Sequence, residues 1–371
     1  MDIGTGLNTS TPQRAGAQPV SEPDSDSAIG TEQQPGCVAC AGSGRLKYDG
    51  LTDRLFGVAG HWKMYQCQAH NCRALWLNPR PTPQEVWKAY RHYYTHGADD
   101  LESLVKRTIR FLSHARAASR YGGQTGPAPR PAAHLVMLLA RLYPGLVDHI
   151  DLMIRYQSPP PIGQVQRLLD VGCGDGEALL ILRGLGWKVQ GVEFDPSAVA
   201  AAARRGIDVH QGDLASAEFP TDTFHLVSST HVLEHVHDPM AFLCESRRVL
   251  APGGRIVTVT PNADADGHLR HGRHWRGLEP PRHIGIYTEP ALRAMAARAG
   301  FHDIRIFTTA RAVGLAETAA ILQREATGVL AGQAAPPRGV RLRAHWAQLR
   351  ASLRKTFSAL EGEELVMLAR K

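Results

Sequence analysis

A doubly wound α/β domain with a largely parallel sheet is predicted from residue 164 onward, behind a separate cysteine-bearing module. Three observations predict it. Short β-rich runs alternate with helical ones from Gln164, a glycine-rich turn "VGCGDGE" joins the first run to the first helix, and two close cysteine pairs lie upstream. Strands alternating with helices build βαβ units, and ligands in such folds meet the carboxyl ends of the strands.

In chain order, residues 1–36 are rich in Ser, Thr, Gly, Pro and Gln and poor in large apolar residues. Such a segment cannot bury enough surface to offset chain entropy, so a disordered tail is expected. Residues 37–83 form a small module with Cys37 and Cys40 in "CVAC" and Cys67 and Cys72 in "CQAHNC". Two pairs separated by a hairpin-length segment make a zinc-ribbon arrangement, in which four thiolates close a tetrahedral, structural site. The wide second pair leaves His70 as a rival fourth ligand. Cys173 and Cys244 stand apart and are not read as ligands.

A helical linker or lid region is expected over 84–160, from "TPQEVWKAYRHYY", "DDLESLVKRTIRFLSHARAASRYGG" and "AAHLVMLLARLY". The stretch "QSPPPIG" at 157–163 marks the boundary with the α/β domain, 161–371. There "QRLLDVG", "KVQGVEF", "IDVHQGD", "FHLVSST" and "GGRIVTVTP" read as strands, and "GEALLILRGLG", "PSAVAAAARRG" and "DPMAFLCESRRVL" as helices. A helical insert is expected over 311–361. In 340–360, Leu342, Trp346, Leu349, Leu353, Phe357 and Leu360 form an apolar stripe beside arginines, suited to a lid or to a membrane surface.

Composition bounds the classes. The 371 residues are 43% hydrophobic and 21% charged, and eighteen consecutive apolar residues occur nowhere, so no membrane span is expected. The start "MDIGTGLNTSTPQ" lacks a basic and then apolar leader, which points to a cytoplasmic protein. In that reducing compartment, six cysteines suggest metal binding or buried thiols before disulfides. The net charge of +7 is a modest excess of 42 Lys and Arg over 35 Asp and Glu, so a nucleic-acid partner is not expected.

The turn at 172–176 carries the strongest chemical signal. Gly172, Gly174 and Gly176 allow backbone to approach a ligand beside a helix N-terminus. A dinucleotide site wants G-x-G-x-x-G, whereas these fall as G-x-G-x-G between Asp170 and Asp175. The two carboxylates would repel a pyrophosphate but suit an ammonium and a sulfonium, so S-adenosylmethionine is preferred over a nicotinamide cofactor. Glu193, ending the next strand, can accept both ribose hydroxyls.

The runs "LLDVGCGDGEAL", "GVEFDPSAVAAAARRG", "QGDL", "DTFHLVSSTHVLEHVHDP", "FLCESRRVLAPGGRIVTVTPN" and "EELVMLARK" resemble the successive motifs of class I S-adenosylmethionine-dependent methyltransferases. The resemblance spans about 164–310 and the last eight residues, and is strongest to ubiquinone-type and bacterial glycan-associated enzymes. It implies a Rossmann-like, seven-stranded sheet whose last strand, "ELVMLARK", is antiparallel. It also implies that Asp170, Gly172, Gly174 and Gly176 line the methionine part of the cofactor and that Phe194 packs on the adenine. Asp213 would take the adenine amino group, with Leu214 beside the ring. The segment "CRALWLNPRPTPQEVWKAYRHYY" is similar to the one after the zinc knuckle of glycan-associated members, which favours Cys72 as the fourth ligand.

An oxygen nucleophile needs its proton removed, usually by histidine. Two stretches supply one: His231 in "THVLEHVHDP", which the resemblance places beside the methyl group, and His283 in "PPRH". His231, Glu234 and His235 also match H-x-x-E-H, a zinc-peptidase signature that requires one helix. Here the stretch leaves a strand and soon meets Pro239, so that match is read as coincidental. A metal at these three residues is what ubiquinone-type relatives would suggest. The expectation is therefore O-methylation of a sugar or glycan intermediate with structural zinc. The alternatives are an RNA methyltransferase gripping nucleic acid through its zinc module, or a quinone-type small-molecule enzyme. The oligomeric state is left open.

Overall fold

The computed structural model describes residues 29–91, 104–121, 135, 138, 144–161, 163–309 and 362–371. The stripe at 340–360 and almost all of "AAHLVMLLARLY" lie outside them. The N-terminal module contains strands β1 (Thr31–Glu32), β2 (Gly44–Leu51), β3 (Trp62–Cys67), β4 (Leu75–Leu77) and β5 (Arg80–Pro81). Part of the expected tail is thus ordered: β1 pairs antiparallel with β5, and Gln34 N donates to Asn78 Oδ1 at 2.9 Å. Backbone pairing holds this polar stretch, and composition does not register it. The first expected helix begins as a 3-10 turn, Val86–Tyr90. Two α-helices follow, α1 (Leu104–Tyr121) and α2 (Pro144–Met153).

The α/β domain runs β6 (Arg167–Val171), α3 (Glu177–Gly184), β7 (Lys188–Glu193), α4 (Pro196–Arg204), β8 (Val209–Gln211), β9 (Phe224–Thr230), α5 (Pro239–Val249) and β10 (Leu250–Pro261). It continues through α6 (Asp266–His271), β11 (Gly285–Ile286), α7 (Glu289–Arg298), β12 (His302–Thr308) and β13 (Glu364–Arg370). Seven strands form one sheet in the order β12-β13-β10-β9-β6-β7-β8. β13 runs antiparallel to both neighbours while β10, β9, β6, β7 and β8 are parallel, as expected from the sequence. Ile256–Pro261 of β10 alternate toward two covered faces, so all six are buried. One apolar cluster, with Leu169, Val227 and Leu243, lies on one face, and a second, with Leu168, Leu226 and Val366, on the other.

Two Asp-Pro dipeptides start helices where the chain leaves the sheet. Asp195 accepts from Ser197 N at 2.8 Å and Asp238 from Ala241 N at 2.8 Å, with proline next in each case. The carboxylate satisfies an orphan amide, and proline fits the first helical position without losing a bond.

The N-terminal module is not a separate body. β11, which follows "PPRH", adds to its sheet as an edge strand in the order β11-β4-β3-β2. Leu51, Trp62, Met64, Leu75 and Leu77 share an apolar cluster with Ala263, Trp275, Leu278, Ile284 and Ile286. Among the described residues no helix is long and apolar enough to cross a membrane.

Replacing the α5 cap, Asp238→Ala, is expected to cost about 1 kcal/mol. The midpoint of urea unfolding would fall by that cost divided by the slope, and the slope itself would be unchanged.

Candidate functional site

The turn between β6 and α3 is shaped by three glycines in the left-handed region, Gly172 (φ 72°), Gly174 (φ 57°) and Gly176 (φ 78°). A Cβ on Gly172 would lie 2.4 Å from Val232 Cγ2, so this turn presses against the chain leaving β9. A Cβ on Gly176 would meet Ala202 and Ile207 at 3.2 and 3.3 Å, which fixes the approach of α4. The cradle is therefore bare backbone on both counts.

Glu193, at the carboxyl end of β7, faces this turn. Its Oε2 accepts from Gly174 N at 2.8 Å, and its Oε1 accepts from Phe194 N at 2.8 Å and Asp195 N at 3.0 Å. The Phe194 ring beside it is 59% exposed, an open apolar face at the rim of the turn. Asp213 lies in the loop after β8 and accepts from Ser216 N at 2.7 Å; Leu214 next to it is buried. Asp170 departs from expectation. It is wholly buried, with Arg155 Nε at 3.2 Å and Nη2 at 2.6 Å on its two oxygens and Ser228 Oγ donating to Oδ1. These partners occupy the carboxylate inside the sheet, so it supports the turn from beneath rather than lining it. No sequence pattern in "IRYQSPPP" signalled Arg155 as its partner.

A second group gathers where β9 and β10 end and β13 begins. His231 sits between two carboxylates, Nδ1 3.0 Å from Glu234 Oε1 and Nε2 3.1 Å from Glu364 Oε1. Thr260 Oγ1 donates to Glu234 Oε2, and Thr309 Oγ1 to Glu364 Oε2. Burial alone would lower the His231 pKa, but the two carboxylates outweigh it and hold it at about 9. Glu234, despite its burial, is drawn down to about 2, chiefly by His231. As an imidazolium with both ring nitrogens engaged, His231 does not fit the expected role of base. Thr230 Oγ1, one residue earlier, is buried without a hydrogen-bond partner among the described residues.

His283 has the opposite character. It is 4% exposed, and burial pushes its pKa down to about 4. Its Nδ1 lies 2.8 Å from the Gly277 carbonyl, which can only accept, so Nδ1 carries the proton and Nε2 a lone pair. The ring meets that of His235 edge to face, centroids 4.8 Å apart. His235 Nδ1 in turn lies 2.9 Å from the Arg282 carbonyl. Glu234, His235 and His283 offer ligand atoms within 4.8 Å of one another, a grouping from which His231 is absent.

The four module cysteines come together. Cys37, Cys40, Cys67 and Cys72 place their sulfurs within 4.8 Å of one another, with Cys37–Cys72 at 3.6 Å and Cys40–Cys67 at 3.5 Å. A tetrahedron with metal–sulfur bonds of about 2.3 Å has edges of about 3.8 Å, so the donor set fits zinc. His70 is exposed and outside this group.

Residues 134–306 match a family model described as "Methyltransferase domain". A protein of Mycobacterium tuberculosis described as a probable S-adenosylmethionine-dependent methyltransferase is 30% identical over 161 residues, 41% of this chain and 58% of that protein. A ubiquinone biosynthesis O-methyltransferase of Cereibacter sphaeroides is 31% identical over 135 residues, 33% of this chain and 55% of that protein. A solved S-adenosylmethionine-dependent methyltransferase from Archaeoglobus fulgidus superposes with a TM-score of 0.41 at 17% identity, covering 64% of this chain and 99% of that one. The chain spans little more than half the length of these two curated relatives. The match lies over the α/β domain, whose sheet order is the Rossmann-like methyltransferase fold expected from the sequence.

The His231 clamp makes stability depend on pH. Its folded pKa lies above the unfolded value, so its contribution is complete below about pH 6.5 and is lost as pH rises through about 9. Thermal melts of the wild type should fall across that window, and His231→Gln should flatten this part of the slope.

Proposed function

We propose that this chain transfers a methyl group from S-adenosylmethionine to a hydroxyl oxygen of a small-molecule acceptor, with His283 as the base. The observation that carries this reading is the contact between Gly172 and Val232, which sets the cofactor turn against the histidine-bearing segment. A cofactor held by the one would end beside the other.

Bound S-adenosylmethionine supplies a methyl carbon already activated by the sulfonium and leaves as the neutral thioether. On the protein side, the turn at Gly172, Gly174 and Gly176 would receive the methionine part and Glu193 the ribose hydroxyls. Phe194 would cover the adenine, with Asp213 and Leu214 at its edge. Asp170 would act from below, through the turn it supports. His283 Nε2 would take the acceptor hydroxyl proton as the oxygen attacks, and Glu279 Oε2, 3.8 Å away, would offset the imidazolium that results. Burial of this pair keeps water from competing for the methyl group.

The acceptor is read as a sugar or glycan intermediate, on the likeness of "NPRP" and "PPRH" to glycan-associated enzymes. A phenolic, quinone-type acceptor is the second reading. It is favoured by the low basicity of His283, which suits a more acidic hydroxyl, and by the similarity to ubiquinone O-methyltransferases. The four cysteines would hold one structural zinc, with no position open to a substrate.

Methyl-labelled cofactor offered to glycan, phenolic-precursor and RNA pools tests the function. Label should enter a glycan or phenolic hydroxyl, and label confined to RNA or absent everywhere would overturn the proposal. His283→Ala should cut transfer by at least about 100-fold while cofactor affinity stays within twofold. Glu193→Ala should weaken cofactor binding at least about tenfold by calorimetry.

Elemental analysis should find one zinc per chain. Its removal by a chelator should lower the melting temperature by on the order of 10 °C.

A further inference from the structure

The segment that carries His283 is organised around a buried cation. Arg282 has no exposed surface, and its guanidinium is met from three directions. Nε donates to Glu279 Oε1 at 2.9 Å, within the same turn. Nη1 donates to the Ala89 carbonyl at 3.1 Å, at the end of the 3-10 turn that follows the cysteine module. Nη1 and Nη2 also donate to Asp53 end-on, at 2.9 and 3.0 Å, in the paired geometry that fixes a guanidinium in orientation as well as in place. Phe56 lies under the guanidinium, 4.6 Å from its carbon.

Asp53 belongs to the loop between β2 and β3, and its own loop leaves it no freedom to follow a moving partner. Its Oδ1 accepts from Leu55 N at 3.0 Å and Phe56 N at 3.1 Å, and its Oδ2 from Val58 N at 3.1 Å. The carboxylate is thus a fixed point, and Arg282 is pinned to it.

What Arg282 holds is the hydrogen-bond frame of the two histidines. Its carbonyl faces His235 Nδ1 at 2.9 Å, where Tyr90 Oη also lies at 3.0 Å, and the Gly277 carbonyl of the same segment faces His283 Nδ1 at 2.8 Å. A carbonyl can only accept, so each contact places a proton on Nδ1, which for the neutral ring is the tautomer with its lone pair on Nε2. The exit from the segment is held too: Ile284 N and Gly285 N donate to the Glu234 carbonyl at 2.9 and 3.1 Å.

We propose that Asp53 is a positioning residue for the methyl-transfer site, acting through Arg282 to fix the orientation and tautomer of His235 and His283. The N-terminal module thereby contributes to the reacting half of the site and not to the cofactor half, whose turn and Glu193 lie on β6 and β7. The relevance to transfer rests on the reading of His283 as base, whereas the tautomer effect stands apart from it.

The test uses the full chain with ¹⁵N-labelled histidine. Long-range proton–nitrogen correlation spectra distinguish the two neutral tautomers, and calorimetry with S-adenosylmethionine reads the cofactor half. In wild type both rings should show the Nδ1-protonated form. Asp53→Asn keeps an acceptor for the loop amides but removes the charge and the paired contact. It should convert His235, His283 or both at least partly to the Nε2-protonated form, with cofactor affinity within twofold. Arg282→Lys keeps the charge without the paired geometry and should do the same. Wild-type tautomers retained in a variant that still binds the cofactor would overturn the proposal. Loss of cofactor binding in both variants would also overturn it, because the effect would not be confined to the reacting half. Were His283→Ala to retain transfer while these tautomers shifted, the base reading alone would fail.

Discussion

The addition of Gly285–Ile286 to the edge of β4 is the constraint on which the rest of the structure depends. A strand edge presents unpaired amides and carbonyls that must be covered. Here the cover comes from the segment that also carries Arg282 and His283. The same segment continues into Thr288, whose hydroxyl binds the Cys72 carbonyl and caps α7, while Arg298 at the end of α7 donates to the Ala39 carbonyl at 2.7 Å. Both cysteine pairs are therefore tied through backbone atoms to one helix of the α/β domain. Displacing the module would leave buried polar groups unpaired on both sides, a greater cost than the few bonds broken.

Charge is handled by the same economy of partners. Arg155 faces Asp170 beneath the glycine turn, His231 lies between Glu234 and Glu364, and Arg282 lies between Asp53 and Glu279. Each of these buried charges has an opposite one in direct contact, as burial demands. The two histidines diverge for that reason. His231 meets carboxylates at both nitrogens and stays protonated, whereas burial keeps His283 neutral, with its one N–H given to a carbonyl. Residue type is the same in both, and environment assigns the chemistry.

The alternation of strands and helices and the glycine turn were legible in the sequence because each depends on neighbours a few residues away. The antiparallel β13 came through resemblance, not through its own pattern. The cysteines could be named from their spacing, but their convergence depends on β2 and β3 bringing distant knuckles together. What could not be read was who faces whom across the fold. Nothing local in "IRYQSPPP" announces a partner for Asp170, and Asp53 and Arg282 are 229 residues apart. β1 and β11 have two residues each, too short for any periodicity to register. The difference in surroundings between His231 and His283 turns on Glu364 and Gly277, which their own sequence neighbourhoods do not single out.

The shared sheet also bears on how the chain is made. During synthesis the four cysteines and strands β2 to β4 emerge before β11, which follows roughly two hundred residues later. Until then the nascent ribbon has an open strand edge, and Leu51, Trp62 and Met64 lack the Trp275 and Ile284 side of their cluster. The module can gather its sulfurs on the ribosome but cannot finish its core there. Its completion waits for the domain downstream, and the two halves of this protein mature as one.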